Sequence, residues 1–201
     1  DELGLSGSEA IKLLSTGAYD AGFALYSYIV SGNPVFEGFD LALVSRNASE
    51  QRKVVDALSP VIDTAMSDVH GIKLITSYPF PLPVVACREE FKSLEDLKGR
   101  KVRVFATTQS DLMDGLGAIS VSMPLAEVPT ALQRGVVDCA LASAMAMYHA
   151  KWFDVVNYIY EMPMGGAMAF LGMTESRLAA LDEPTRTLHR QAAAHKPDAP
   201  W

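Results

Sequence analysis

Hydrophobic and polar residues follow two periods along this chain of 201 residues. From Val54 to Met66 an apolar residue recurs every four positions, which predicts a helix over 49–67. From Val102 to Thr107 small apolar side chains alternate with larger or polar ones, which predicts a strand. The same reasoning predicts further helices at 8–16, 93–99, 109–116, 127–134, 144–151 and 175–181, with a last one opening at 182–184, and further strands at 19–28, 72–76, 84–87, 119–121, 136–141, 155–160 and 167–173.

The alternation of strands and helices predicts an α/β fold with parallel sheets and crossover helices. The pattern Glu-x4-Leu-x2-Gly-x2-Asp occurs twice, starting at Glu9 and at Glu127, which indicates two similarly built halves. A stiff proline-rich stretch, 79–83, lies between them. We therefore predict two Rossmann-like lobes with a ligand cleft between the carboxyl ends of their strands. The predicted domains are 1–82 as lobe I, 83–166 as lobe II and 167–201 as a return to lobe I.

Charge and composition exclude some partners. The net charge is -7 and the pI is near 5.0, which argues against a nucleic-acid groove or an anionic membrane surface. The longest uncharged run, 162–174, is too short and too rich in glycine to span a bilayer. The start of the chain has no signal-peptide pattern, which is equally consistent with a cytosolic protein, a processed secreted protein or a trimmed chain.

The chain has two cysteines, Cys87 and Cys139. They form no CxxC motif and have no histidine at metal-site spacing. The pattern favours two buried free thiols, and it leaves open a disulfide if the fold brings the two residues together.

Arg103 is the most informative charged residue, because it lies in a strand that leads into the interior. A buried arginine is costly unless an anion meets it. Thr107, Thr108 and Ser110 follow directly and are suitable helix caps, so backbone N–H groups of a helix start are expected nearby. This combination predicts a carboxylate or phosphate receptor. The alternative is a structural arginine that reaches solvent or pairs with an internal carboxylate.

Motifs for catalysis are missing from the sequence. HExxH, GxSxG and P-loop patterns do not occur, and the four histidines have no metal-ligand spacing. We therefore predict no enzymatic activity, no metal and no cofactor.

Several motifs together resemble the solute-binding proteins of TRAP transporters, of the DctP type. The resemblance covers essentially the whole chain, and its central run is specific to that family. The matching motifs are ELG at 2–4, GAYD at 17–20, FEGFDL at 36–41, SLEDLKGRKVRV at 93–104, LGA at 116–118, Met123-Pro124, Glu127, ALQRGVVD at 131–138 and AKWFDVVNY at 150–158.

This resemblance implies a periplasmic receptor with a type II periplasmic-binding-protein-like fold. Such a receptor closes on a small organic acid and delivers it to membrane permease subunits driven by an ion gradient. Family members hold the substrate carboxylate with an arginine in a K-[IV]-R strand, and Arg103 matches it. The resemblance also implies a further strand and helix before ELG and a long linking helix at the end of a complete chain.

Three departures bear on the ligand. Many members carry Asn or Thr where this chain has Cys139 followed by Ala-Leu-Ala-Ser143, so a polar contact is missing or moved to Ser143 and the ligand is expected to be more apolar. Pro129 replaces a helix tyrosine. Residues 83–86 lack the second arginine of sialic-acid receptors, which argues against sialic acid.

We therefore predict a substrate-binding receptor with Arg103 as carboxylate clamp. The other predicted site residues are Tyr26 and Tyr28 as first-lobe wall, Thr107, Gln109 and Ser143 as hydrogen-bonding partners, and Phe80 and Trp152 as apolar wall or packing. For the tyrosines and the tryptophan, simple packing remains an open alternative. A cytosolic ligand-sensing domain of a regulator, with the same two-lobe build, is the alternative function.

Overall fold

The computed structural model describes residues 7–30, 33–45, 47–80, 83–161 and 167–194. The chain divides into two compact units. The first takes its described residues from Asp1–Phe39, Ala48–Phe80 and Met168–Trp201, and the second takes them from Asp40–Asn47 and Pro81–Ala167. The sequence placed all of 1–82 in the first lobe, so Asp40–Asn47 differs from that prediction. The Thr108 hydroxyl donates to the Asp40 carbonyl at 2.8 Å, which ties this segment to the second unit.

The first unit combines helices with a three-stranded sheet. Its elements are α1 (Gly7–Ser15), β1 (Ala21–Leu25), α2 (Ala48–His70), β2 (Ile72–Phe80), β8 (Ala167–Thr174), α6 (Glu175–Ala180) and α7 (Glu183–Ala194). The strand order is β1-β8-β2, and β1 runs antiparallel to β8. The periodic face of α2 buries Ile62 and Met66 in a core with Phe36, Phe39 and Phe170. Hydrophobic spacing thus decides which face of α2 is buried.

The second unit contains a five-stranded sheet in the order β5-β4-β6-β3-β7. Its elements are β3 (Pro83–Cys87), β4 (Lys101–Val104), α3 (Thr107–Gly115), β5 (Ile119–Ser122), α4 (Val128–Gln133), β6 (Cys139–Ser143), α5 (Ala144–His149) and β7 (Tyr158–Tyr160). Two core clusters, one around Val102 and Leu141 and one around Ala140 and Trp152, are built from alternating residues of its strands. The β6 strand is buried along its whole length, which explains its nearly continuous apolar sequence.

The prediction of parallel sheets is right for only part of the molecule. β4 runs parallel to β5 and β6, whereas β3 is antiparallel to β6 and β7, and β1 is antiparallel to β8. The β4–β5 pair is joined through helix α3, as parallel neighbours require. β3 begins three residues after β2 ends, too short a connection for a crossover helix, so the direction of β3 is not set in that way.

The two cysteines form a disulfide, so the expectation of free thiols is wrong. Cys87 on β3 lies directly opposite Cys139 on β6, with the two Cα atoms 4.1 Å apart. Side chains of directly opposed antiparallel residues lie close enough to bridge. The sequence could not reveal this, because the two residues are 52 positions apart and become neighbours only through the strand register.

The two copies of the Glu-Leu-Gly-Asp pattern have the same local structure. In the second copy, a 3-10 turn (Leu125–Glu127) continues into α4, and this helical stretch matches α1 with an offset of 118 residues. Both bounds of β6 follow those of β1 by the same offset. Gly17 and Gly135 end the two helices with φ of 75° and 70°, a left-handed conformation that suits glycine.

Candidate functional site

Arg103 is the third residue of β4, and only 3% of it is exposed. Its Nε donates to the Met123 carbonyl at 3.0 Å, and its Nη1 donates to the Leu141 carbonyl at 2.8 Å. Met123 follows β5, and Leu141 lies on β6. The guanidinium is therefore held at the carboxyl ends of three parallel strands, which is the edge where α/β sheets bind ligands.

The two carbonyl acceptors orient the Arg103 guanidinium without cancelling its charge. The guanidinium also lies over the Phe105 ring, 5.3 Å from its centroid, which adds a favourable cation–π contact. Helix α3 begins at Thr107, just after β4, so the positive end of its dipole lies at the same edge. A planar, fixed guanidinium in this setting can bind an anion, and its fork geometry suits a carboxylate.

The polar residues predicted beside Arg103 are placed near the same strand ends. Thr107 is exposed in the first turn of α3. Gln109 is buried, and its Oε1 accepts from the Phe105 N–H at 3.2 Å. Ser143 is also buried, and its hydroxyl oxygen caps α5 by accepting from the Ala146 N–H at 3.2 Å. Gln109 and Ser143 thus each already accept a hydrogen bond from a backbone N–H.

The start of α3 differs from the predicted capping. The N-cap is Ala106, and no side chain makes a capping hydrogen bond there in the described structure. Thr107, Thr108 and Ser110 all lie inside the helix. The Thr108 hydroxyl is instead used to hold the carbonyl of Asp40.

The predicted site residues of the first unit are largely packing residues. The Tyr26 side chain is fully buried between Phe39 and Phe170, and its hydroxyl lies 2.7 Å from the Ser77 hydroxyl. The structure therefore favours the packing alternative for Tyr26. Tyr28 is half-buried, and its ring lies where a Cβ on Gly7 would be. The backbone of Phe80 ends β2, but its side chain lies outside the described residues.

Trp152 is a core residue of the second unit. Its side chain has no exposed surface and packs with Val128, Leu132 and Met147. Its Nε1–H is buried without a hydrogen-bond partner among the described residues. Of the two predicted roles, packing is therefore the one that the structure favours.

Three contributors to the Arg103 environment were missed in the sequence. The Met123 and Leu141 carbonyls carry no sequence signal, because any residue supplies a carbonyl. Phe105 could have been found, since residues two apart on a strand share a face.

Among the described residues, no group of three or more His, Cys, Asp or Glu side chains could hold a metal ion. Within the same residues, no helix combines the length and the apolar character needed to cross a membrane.

Solved structures with the same architecture define the class of fold. DctP7 of Bordetella pertussis, an extracytoplasmic solute receptor binding pyroglutamic acid, superposes with a TM-score of 0.87 at 24% identity, covering 94% of this chain and 63% of that chain. A TRAP periplasmic solute-binding protein of Sulfitobacter sp. NAS-14.1 with bound β-D-galacturonate gives a TM-score of 0.85 at 20% identity, covering 94% of this chain and 64% of that chain. These similarities confirm the predicted α/β class, a type II periplasmic-binding-protein-like fold.

The family follows from the sequence itself. The family model described as bacterial extracellular solute-binding protein, family 7 (DctP), matches residues 3–198. The chain belongs to this family, as its motifs predicted. The protein YiiZ of Salmonella typhimurium, described as uncharacterized, is 28% identical over 165 residues, which cover 77% of this chain and 48% of that protein. The chain thus spans about half the length of this curated relative.

Proposed function

We propose that the chain is the substrate-binding receptor of a TRAP-type secondary transporter and captures a small organic acid through its carboxylate. The observation that carries this proposal is the buried Arg103 guanidinium, fixed by the Met123 and Leu141 carbonyls. The bound pyroglutamic acid and β-D-galacturonate of the two similar receptors are both carboxylic acids, which supports an acid as the ligand here. Each charge-assisted hydrogen bond to the carboxylate contributes about 1.5–3 kcal/mol.

In this proposal the site residues have different roles. Arg103 is the clamp, and Thr107 supplies an accessible hydroxyl beside it. Gln109 and Ser143 hold the backbone in place at this sheet edge, because each accepts a hydrogen bond from a backbone N–H. Tyr28 contributes to a wall on the first lobe, whereas Tyr26 and Trp152 support the lobes from their cores.

The location of the protein is proposed to be periplasmic. The Cys87–Cys139 disulfide supports this, because structural disulfides persist in oxidising compartments. The alternative, a cytosolic ligand-sensing domain of a regulator, would expose the same disulfide to a reducing environment. The proposed partners are the membrane permease subunits, which take over the acid without chemical change.

A thermal-shift screen of the full-length protein tests carboxylate capture. The probes are pyroglutamate, D-galacturonate and cyclohexanecarboxylate, each paired with its own carboxamide. A ligand at 100 times its Kd stabilises the folded state by about 2.7 kcal/mol, so at least one carboxylate should raise the Tm by several degrees. Its carboxamide should not, because the amide lacks the charge that pairs with Arg103.

The variant Arg103→Met separates the clamp from other contacts. The shift caused by the carboxylate should disappear. The ligand-free variant should melt below the wild type, because the Met123 and Leu141 carbonyls lose their donor, so its own ligand-free melting curve is the baseline for the shift. An unchanged shift in Arg103→Met would refute the clamp. For delivery, uptake of the labelled acid by cells carrying the permease should stop when the ion gradient is collapsed and continue when ATP alone is depleted.

A further inference from the structure

Three polar side chains near the strand ends that hold Arg103 make hydrogen bonds to the protein's own backbone. Gln109 accepts from the Phe105 N–H, Ser143 accepts from the N–H at the first turn of α5, and Thr108 donates to the Asp40 carbonyl. Gln109 and Ser143 are also buried. Each of these three side chains thus commits one polar atom to a backbone bond, which leaves it less able to bind ligand hydroxyls.

Apolar side chains lie near the guanidinium, at the same strand ends. Phe105 directly follows β4, and its half-buried ring lies under the guanidinium. At the start of α5, directly after β6, Ala144 is exposed and Met145 is 52% exposed. An acid whose carboxylate meets Arg103 would thus place its neighbouring atoms against the Phe105 ring, with the exposed side chains at the start of α5 further along the same strand ends.

We propose that the ligand is a monocarboxylate whose body next to the carboxylate is apolar and poor in hydroxyls, and that Phe105 is a specificity-determining residue for that body. The inference rests on the proposed function, since it concerns the same site. Ligand hydroxyls brought against the Phe105 ring would lose water without gaining a partner there, which weakens binding. An apolar body gains affinity there by leaving water.

Two ligands of matched shape test the proposal on the full-length protein. Cyclohexanecarboxylate and D-galacturonate share a six-membered ring and a carboxylate, and differ in the hydroxyls and the ring oxygen. Titration calorimetry should give a Kd for cyclohexanecarboxylate at least tenfold lower than for D-galacturonate. Equal or tighter binding of D-galacturonate would overturn the inference and leave carboxylate capture intact. If neither these acids nor pyroglutamate bind, the proposed function fails and the inference with it.

Two variants test the role of Phe105. Phe105→Leu keeps an apolar side chain, and its Kd for cyclohexanecarboxylate should stay within about threefold to fivefold of the wild type. Phe105→Gln should weaken cyclohexanecarboxylate at least tenfold while leaving D-galacturonate unchanged or tighter, with ligand-free melting curves confirming that both variants fold. Equal weakening of both acids by Phe105→Gln would show that Phe105 supports the guanidinium rather than selecting the ligand, and would overturn this part of the proposal.

Discussion

The α1–β1 and α4–β6 segments share a sequence pattern, a left-handed glycine and matching strand bounds, yet their strand ends serve different purposes. After β1, the Tyr26 hydroxyl is satisfied by Ser77 and the ring fills the core of the first unit. On β6, the Leu141 carbonyl accepts from the charged Arg103 side chain of the neighbouring strand. The shared pattern thus determines local structure, whereas neighbouring strands determine what each strand end does.

Charge accounts for this difference. A tyrosine hydroxyl is neutral, and one hydroxyl partner satisfies it at little cost. A buried guanidinium keeps its charge when carbonyls orient it, so a carboxylate ligand is a favourable additional partner. We therefore expect changes at Tyr26 to act on stability, and changes at Arg103 to act on binding as well as on stability.

The largest effect on stability is expected from Tyr26→Ala. Removing a fully buried aromatic side chain costs about 3–5 kcal/mol, which urea unfolding would measure. Tyr26→Phe keeps the ring and loses the hydroxyl that bonds to Ser77, so it should cost about 1 kcal/mol. At the matching position of the second segment, exposed Ala144→Ser should change stability by less than about 0.5 kcal/mol. A Tyr26→Ala variant that loses little free energy of unfolding would contradict the assignment of Tyr26 to the core.

The next largest effect concerns the disulfide that joins β6 to β3. Replacing both Cys87 and Cys139 by alanine should lower the free energy of unfolding by roughly 2–4 kcal/mol, because the bond closes a long loop in the unfolded chain. The wild type unfolded in the presence of a reductant should approach the stability of the double variant. Equal stability of the wild type and the double variant without reductant would show that the disulfide does not stabilise the second segment.

A smaller effect distinguishes the two aspartates of the shared pattern. Asp138 Oδ2 accepts from the Lys101 N–H at 2.8 Å and ties the start of β6 to β4, so Asp138→Ala should cost about 1–2 kcal/mol. Asp20 instead pairs with Arg177 on the surface, and Asp20→Ala should cost less than about 1 kcal/mol. Chemical denaturation of the two variants compares them directly, and a larger loss for Asp20→Ala would reverse the assignment.

The smallest effect is a pH dependence in the turn that leads into β4. Asp96 accepts from the N–H groups of Lys92 and Ser93, and these bonds lower the pKa of its carboxyl below 3.8. The ionised form therefore stabilises the folded state above about pH 4, and this stabilisation is lost as the pH falls through the lowered pKa. Melting curves should show Asp96→Asn below the wild type at pH 7 and converging with it toward pH 2–3. A difference that persists at that pH would contradict this assignment.

Local periodicity predicted most helices and strands, but not which strands pair with one another. The helix over 49–67 exists and extends to His70, and the alternation after residue 101 does form β4. The antiparallel direction of β3 and the disulfide were not predicted. Both depend on which strands pair and in which register, and these pairings join residues far apart in the sequence. For the candidate site, the sequence singled out Arg103 by its charge in an apolar strand. The carbonyls that fix it could not be predicted, since they depend on the positions of β5 and β6 rather than on residue type.

The central claim is that Arg103 is a carboxylate clamp held in a fixed geometry, and Arg103→Lys tests it most directly. The measurement is the Kd, by titration calorimetry, of the carboxylate that gives the largest thermal shift. Lysine keeps the charge but cannot form the planar fork, so the variant should bind roughly 100-fold more weakly. The exposed control Arg134→Lys should leave the Kd unchanged. An Arg103→Lys variant that binds as tightly as the wild type would contradict the claim.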